Sequence, residues 1–239
     1  MPSILKRSHV NPRFSMILLV CTLLISTSGY SAAPLPGKTP SKPSPGRVST
    51  LSGDWEIPYD GEGFISFDSE NGIVMQPAVS STPYETHAAL ALSALTKAHP
   101  MKDFQVMIRA STEEQLRTPT PNSWEVFSIY FNYNADNEIQ KNTNYLKLTD
   151  NGLELGTLSD KIGQTFLATS KSRTLTIGKI YTYMLTKKGN HIDISIDGDS
   201  VASFTGSNSP NNLYDAPGAI GLFTEDARVH IYSVEILPL

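Results

Sequence analysis

The sequence has very little cysteine, no cationic excess and a single long apolar run. Its 239 residues include one cysteine, Cys21, and 19 basic against 23 acidic residues, a formal net charge of −4. This balance excludes a general nucleic-acid binder, which needs a cationic face to displace counterions from phosphates. With 16 glycines, 16 prolines and 39% hydrophobic residues, the composition also excludes collagen-like, disordered and multi-span membrane proteins.

The sequence also lacks the short motifs of several enzyme classes. No phosphate-cradling glycine loop, no Gly-x-Ser-x-Gly and no dinucleotide fingerprint occurs. Zinc is disfavoured because the histidines beyond the first thirty residues are widely spaced and no thiol accompanies them.

The first 31 residues have the composition of a secretory signal. Lys6, Arg7 and Arg13 precede an apolar stretch over residues 16–25, which is too short to span a bilayer, and small residues follow. We expect cleavage between Ser31 and Ala32, and hence a secreted or periplasmic protein with no membrane span. The alternative is an uncleaved N-terminal anchor.

Removal of residues 1–31 would leave 16 basic and 23 acidic residues, a net charge of −7, and no cysteine. Such a protein must be stabilised by core burial, strand pairing or a bound ion instead of disulfides. Residues 32–48 contain five prolines among glycine, lysine and serine, which predicts a stiff linker. We therefore expect one folded domain over residues 49–239.

Alternation of apolar and polar residues dominates this domain. Residues 191–197 are the clearest strand, and Asp197-Gly198 predicts a tight turn into residues 201–204. Asp150-Asn151-Gly152 predicts a second hairpin, residues 124–133 a central strand, and residues 87–97 are ambiguous between helix and strand. About a dozen short strands predict an all-β fold, a two-sheet antiparallel jelly-roll β-sandwich, with a small open barrel as the alternative. One sheet would be concave, with a polar face on which a ligand lies.

Seven segments carry a resemblance to a known family, and they cover about residues 50–237. They are Glu85-Thr-His-Ala-Ala-Leu90, Gln115-Leu-Arg117, Pro121-Asn-Ser-Trp-Glu-Val126, Asn151-Gly-Leu-Glu-Leu-Gly156, Thr165-Phe-Leu-Ala-Thr169, Ile194-Ser-Ile-Asp-Gly198 and residues 218–229. The chain resembles the concanavalin A-like lectin/glucanase superfamily, which includes LamG-type modules and the glycoside hydrolase family 16-like and 3-keto-disaccharide hydrolase-like jelly rolls. The resemblance implies a carbohydrate-facing sandwich with a structural calcium ion; function has to be argued from the site.

The catalytic residues of that superfamily are not present in its usual pattern. No Glu-x-Asp-x-Glu occurs, and Tyr145-Leu-Lys147 matches a lyase motif in letters but lacks a Gln-x-His partner. The catalytic candidates are therefore Glu125, Glu85 and His87. Hydrolysis would need two carboxyls, for which Glu154 and Asp193 are further candidates. Glu125 is also readily explained as an ion-pair partner of Arg117 or Lys147.

The candidate ligand-binding residues combine side chains that suit sugars and uronates. Arg117 could hold a carboxylate by two hydrogen bonds, and aromatic rings could stack on sugar rings. For calcium the candidate ligand is Asp226, although no short spacing defines such a site. The binding set is Gln115, Arg117, Tyr130, Tyr145 and Lys147.

Three functions remain open from the sequence. The first is a secreted monomer that binds a polysaccharide or glycoconjugate on its concave sheet. The second is a polysaccharide-degrading enzyme, hydrolase or lyase, with an unusual residue set. The third is a structural or host-contact protein.

Overall fold

Strands with one apolar and one polar face form two antiparallel sheets. The computed structural model describes residues 48–49 (backbone), 55–68, 70–82, 84–118, 120–134, 142–159, 163–206 and 213–239. The predicted signal over residues 1–31 and the proline-rich segment up to residue 47 lie outside these ranges. No helix in the described ranges has the length and apolar character needed to cross a bilayer.

The eight-stranded sheet has the order β13-β12-β11-β6-β15-β4-β3, and β1 pairs with β15 beside this path. Its strands are β1 (Val48–Ser49), β3 (Phe64–Asp68), β4 (Gly72–Gln76), β6 (Phe104–Gln115), β11 (Ile180–Lys188), β12 (His191–Ile196), β13 (Asp199–Thr205) and β15 (Ala227–Pro238).

The seven-stranded sheet has the order β10-β9-β8-β7-β14-β5-β2. Its strands are β2 (Trp55–Tyr59), β5 (Ala88–Ser93), β7 (Phe127–Asn134), β8 (Asn142–Thr149), β9 (Gly152–Ser159), β10 (Gly163–Ser170) and β14 (Ala219–Glu225). The all-β, jelly-roll sandwich prediction is confirmed.

The ambiguous segment at residues 87–97 contains both structures. It forms strand β5 and then a single helical turn, α1 (Ala94–Ala98). Ser93 caps this turn, because its hydroxyl accepts a hydrogen bond from the Thr96 amide. The predicted strand at residues 124–133 begins only at Phe127, since residues 121–126 form a loop.

Two predicted hairpins are present with the turn chemistry that the sequence indicated. Asp197 and Gly198 join β12 to β13 with φ of 54° and 87°, and positive φ at both turn positions suits the twist of paired strands. Gly152, with φ of 123°, opens β9 directly after the two-residue turn that follows β8.

The main core lies between the two sheets. Apolar residues from alternate positions of both sheets meet there, and Phe127 and Phe131 of β7 contact Tyr183 and Phe104 of the opposite sheet edge-on. Since Phe127, Ile129 and Phe131 point into the core, Ser128 and Tyr130 point outward, and a register shift after Phe131 brings Tyr133 to the same outer side. The outer face of the seven-stranded sheet is therefore defined by the alternate residues of its strands.

Candidate functional site

The sequence-predicted residues separate into two clusters. Six of them gather around Arg117, where β6 ends and where Asp226 joins β14 of one sheet to β15 of the other. Tyr130, Tyr145, Lys147 and Glu154 lie on the outer face of the seven-stranded sheet, and Asp193 lies on the other sheet. We call the first group the Arg117 network; its predicted members are Glu85, His87, Gln115, Arg117, Glu125 and Asp226.

Arg117 is almost fully buried, and all five of its N–H groups have acceptors. Its Nε donates to Glu125 Oε1 and its Nη2 to Asp226 Oδ2, and both carboxylates have no exposed side-chain surface. The remaining donors contact the carbonyls of Thr82 and Glu85 and the hydroxyl of Thr86. Burial alone would lower the pKa of Arg117, but the two carboxylates outweigh it and the pKa is raised.

The other oxygens of the two buried carboxylates are also engaged. Asp226 Oδ1 accepts hydrogen bonds from the Ser80 hydroxyl and the His87 amide, the latter at 2.8 Å. Glu125 accepts from the Asn122 amide and side chain at 2.9 and 2.7 Å. These contacts fix the loops before β5 and before β7 against each other.

His87 and Glu85 lie at the edge of this network. Because Ser80 donates its proton to Asp226, its oxygen accepts from His87 Nδ1 at 3.2 Å, and His87 Nε2 lies 3.7 Å from Glu85 Oε1. Hydrogen bonds from the Ser81 amide and hydroxyl hold the pKa of Glu85 below its usual value.

Gln115 completes the network from the end of β6. Its side-chain amide donates to the carbonyls of Asn122 and Glu125 at 2.7 and 3.1 Å. Gln115 therefore orders the loop before β7 by bonding its backbone, and its donor group is used within the protein.

Calcium does not fit the donor set around Asp226. Calcium requires six to eight oxygen ligands, whereas both Asp226 oxygens are saturated by Arg117, Ser80 and His87. In the parts of the chain that the structure describes, no three His, Cys, Asp or Glu side chains are placed to share a metal ion. The cation that neutralises these buried carboxylates is the Arg117 guanidinium.

The second cluster centres on Glu154 of β9. Tyr145 donates its hydroxyl proton to Glu154 Oε1 at 2.6 Å, and Lys147 Nζ lies 3.1 Å from the same oxygen. Gln164 of β10 donates to both the Tyr145 hydroxyl and Glu154 Oε1, at 2.6 and 3.2 Å. These four residues, Tyr145, Lys147, Glu154 and Gln164, form the Glu154 network. Burial, and then the bond to Glu154, raise the pKa of Tyr145.

Gly156 allows this geometry. It pairs with Tyr145 across the strands, and a Cβ at this position would come within 2.5 Å of the Tyr145 ring and hydroxyl. The phenol therefore lies directly over the backbone of β9. On the other side of Gly156, β10 places Phe166, whose surface is 62% exposed.

Aromatic and apolar side chains continue across the same face. Tyr130 lies opposite Tyr145, and its ring stacks on Phe223 of β14 with centroids 4.4 Å apart. Leu90 and Leu92 of the neighbouring strand β5 lie beside them on the same face, together with Tyr59 and Tyr133. The row of Tyr130, Tyr145, Gly156 and Phe166 thus crosses four neighbouring strands and ends in an exposed ring.

A third carboxyl lies on this face at the end of β14. Glu225 follows Phe223 at the next outward position and pairs with the small residue Ala88. Burial raises the pKa of Glu225, and the nearby Asp226 adds to this effect, while Lys147 opposes it. No residue in the described ranges donates a hydrogen bond to its carboxylate.

A depression of about 210 Å³ adjoins the aromatic row at the other end of these strands. Its lining residues Leu92 and Tyr133 also belong to the apolar cluster around Tyr130 and Tyr145. Other lining residues include Lys97, Asn134 and Ala219. This volume is below the range of drug-sized pockets, so it suits one small chemical group rather than a whole ligand.

Sequence reasoning found some of this face and missed the rest. Not every aromatic residue reaches this face: Tyr181 and Tyr183 belong to the core, and the exposed Trp124 lies in a loop. Gln164 and Phe166 were missed, although their alternate positions in residues 163–170 indicate that they share a face. The register that brings them beside Tyr145 is not visible in the sequence.

Comparisons with known proteins support the fold and say little about function. No protein-family model matches the chain, and no curated protein is significantly similar in sequence. Among solved structures, a carbohydrate-binding module, CBM66 from Bacillus subtilis, aligns with a TM-score of 0.55 and 14% identity over 76% of this chain and 94% of that one.

Two further structures have the same architecture. A protein of unknown function with a galectin-like fold from Bacillus subtilis gives a TM-score of 0.57 at 15% identity, covering 82% of this chain and 97% of that one. A β-glucanase from Bacillus licheniformis gives 0.52 at 10% identity, covering 82% and 100%. Together with the sheet order above, these similarities show that the chain has the jelly-roll β-sandwich fold that these proteins share.

Proposed function

We propose that the protein binds a carbohydrate on the outer face of the seven-stranded sheet. The observation that carries this proposal is the position of the Glu154 network beside an aromatic row that ends in the exposed Phe166. Sugars combine hydroxyl groups with apolar C–H faces, so a site for them needs hydrogen-bonding groups next to flat rings.

The Glu154 network retains unused hydrogen-bonding capacity. All contacts of Glu154 within the described residues converge on Oε1, which leaves Oε2 to accept from a ligand hydroxyl. Gln164 is exposed and uses only its amide nitrogen, so its carbonyl oxygen is a second acceptor. The internal bonds fix these side chains in place, which reduces the entropy lost on binding.

The fold and the composition of the N-terminal segment are consistent with this function. A carbohydrate-binding module and a β-glucanase are among the structures with this fold, which makes a sugar ligand a reasonable expectation here. We further propose, from the composition of residues 1–31, that the protein meets its ligand outside the cytoplasm.

A panel of soluble polysaccharides in affinity gel electrophoresis, followed by calorimetry with the best oligosaccharide, tests the proposal. We expect Phe166→Ala to weaken binding about fivefold to tenfold, since a stacked ring contributes about 1 kcal/mol beyond its buried area. Phe64→Ala is the matched control, because Phe64 is 43% exposed on the other sheet. Equal effects of the two substitutions, or no binding to any glycan, would contradict the proposal.

A second candidate function is hydrolysis of a glycosidic bond, because the carboxyls of Glu225 and Glu154 lie on the same face with Lys147 near both. Burial raises the pKa of Glu225, which suits the acid of such a pair. This function predicts new reducing ends from a polysaccharide, and their loss in Glu225→Gln. Binding without release of reducing ends would leave carbohydrate binding as the function.

A further inference from the structure

We propose that the ligand of the outer face is an uncharged glycan, and that Glu154 makes the site reject polyuronates and other anionic polysaccharides by holding Lys147. This inference rests on the proposed function and adds the chemical class of the sugar. Recognition of a carboxylate or sulfate needs a cation that is not already neutralised by the protein.

The two lysines in the Glu154 network and at the rim of the depression each have an internal carboxylate. Lys147 Nζ is 3.1 Å from Glu154 Oε1, and Lys97 Nζ at the rim is 2.5 Å from Glu56 Oε2. Arg117, the residue best suited to hold a uronate, is buried and has every N–H used. None of these three cations therefore offers a uronate an uncompensated positive charge.

The carboxylates would also repel an anionic ligand. A uronate bound at the Glu154 network would have to compete with Glu154 for Lys147, whose Nζ is 5.4 Å from the Tyr145 ring centroid. The Lys147 and Glu154 side chains are only 12% and 18% exposed, so solvent screens this competition less than it would on an open surface.

Neutral hydroxyl groups do not meet this obstacle. The acceptors that the site leaves available are Glu154 Oε2 and the Gln164 carbonyl, and a carboxylate bearing no proton cannot donate to them. A sugar hydroxyl can donate to either one while its ring lies against Phe166. The same residues thus favour uncharged sugars and disfavour anionic ones.

The test measures binding of a neutral β-glucan panel and of polygalacturonate and alginate at pH 7 and low salt, for the whole exported protein and its variants. We expect the unmodified protein to bind a neutral polymer and to bind both polyuronates at least tenfold more weakly. Equal or tighter polyuronate binding would overturn the inference and leave carbohydrate binding intact; absence of binding to every polymer would overturn both.

Glu154→Gln separates charge selection from simple damage to the site. Because it removes the partner of Lys147, we expect neutral binding to fall while polyuronate binding rises about fivefold, and we expect Lys147→Met in the same background to abolish that rise. A loss of binding to both classes would overturn the selective role. Asp193→Asn removes the same charge from the outer face of the other sheet and is expected to change neither affinity.

Discussion

The Arg117 network and the Glu154 network contain similar residue types, but they differ in how many of their hydrogen-bonding groups have partners. Each places a cation beside at least one carboxylate and an amide side chain, but the Arg117 side chain is 6% exposed and its two carboxylates not at all, whereas Glu154 is 18% exposed and Gln164 is exposed. The first network has all its donors matched to acceptors; the second has acceptors remaining on its outer side. The difference indicates that the number of unused hydrogen-bonding groups, rather than the residue types, distinguishes a structural cluster from a ligand site.

The largest expected effect comes from removing the cation of the buried network. Arg117→Met leaves Glu125 and Asp226 buried without a counter-charge, and breaking a buried pair costs about 3–5 kcal/mol. Urea unfolding measures the loss. The control is Arg228→Met, whose side chain is 42% exposed and pairs with Glu113, and which should cost about 0–1 kcal/mol.

Variants of the buried network should keep the ligand face intact in the molecules that fold. Where Arg117→Met does not fold, Glu125→Gln provides a milder test, because the amide keeps the shape of the carboxylate and Asp226 still pairs with Arg117. We expect reduced stability with unchanged glycan affinity in the folded fraction. A large loss of affinity at full stability would show that the Arg117 network takes part in binding.

A smaller effect is expected from the hydroxyl that belongs to the Glu154 network. Tyr145→Phe removes a donor to Glu154 and an acceptor for Gln164. We therefore expect the free energy of unfolding, measured with urea, to fall by about 1 kcal/mol. Tyr183→Phe is the matched control, because the Tyr183 hydroxyl is buried in the core without a partner among the described residues. Its removal should be neutral or stabilising, and an equal loss in both variants would contradict the role given to Tyr145.

The smallest expected effect is the change in stability caused by Glu225→Gln, which depends on pH. Since burial raises its pKa in the folded state, the ionised carboxylate opposes folding above that pKa, and the opposition disappears as the pH falls below the ordinary glutamate range. Glu225→Gln should therefore be more stable than the unmodified protein at pH 7, with a gain that shrinks towards pH 4, as measured by urea unfolding at both values.

Asp68 serves as a comparison, because its pKa is shifted in the opposite direction from that of Glu225. Hydrogen bonds from the Asn71 side chain and from the amides of Glu70 and Asn71 lower its pKa in the folded state. Asp68→Asn should lose stability at pH 7, and the loss should fade as the pH falls through that lowered pKa. The same pH trend in both variants would contradict the assigned environment of Glu225.

The sequence allowed the fold to be predicted because its signals are local. Asp197-Gly198 and Asn151-Gly152 specify their hairpins by turn chemistry, and alternation specifies which residues of each strand share a face. The pairing of Glu125 with Arg117 was also among the expected alternatives, since the two residues are close in the chain.

The remaining features depend on contacts between distant segments. Asp226 lies 109 positions from Arg117, and nothing local indicates that the two meet. The aromatic row likewise depends on the register of three strand pairs, which brings Gly156 between Tyr145 and Phe166. A shift of one residue in the β9–β10 pair would turn Phe166 towards the other face, and the same shift in the β8–β9 pair would turn Tyr145.

The short pairing of Val48–Ser49 with β15 has a practical consequence for work with this protein. It places these two residues in the eight-stranded sheet, which is not the sheet that carries Phe166 and Gln164. Attachment to a bead or a sensor chip through the eight-stranded sheet should consequently leave the proposed ligand face accessible, whereas cross-linking through lysines risks modifying Lys147.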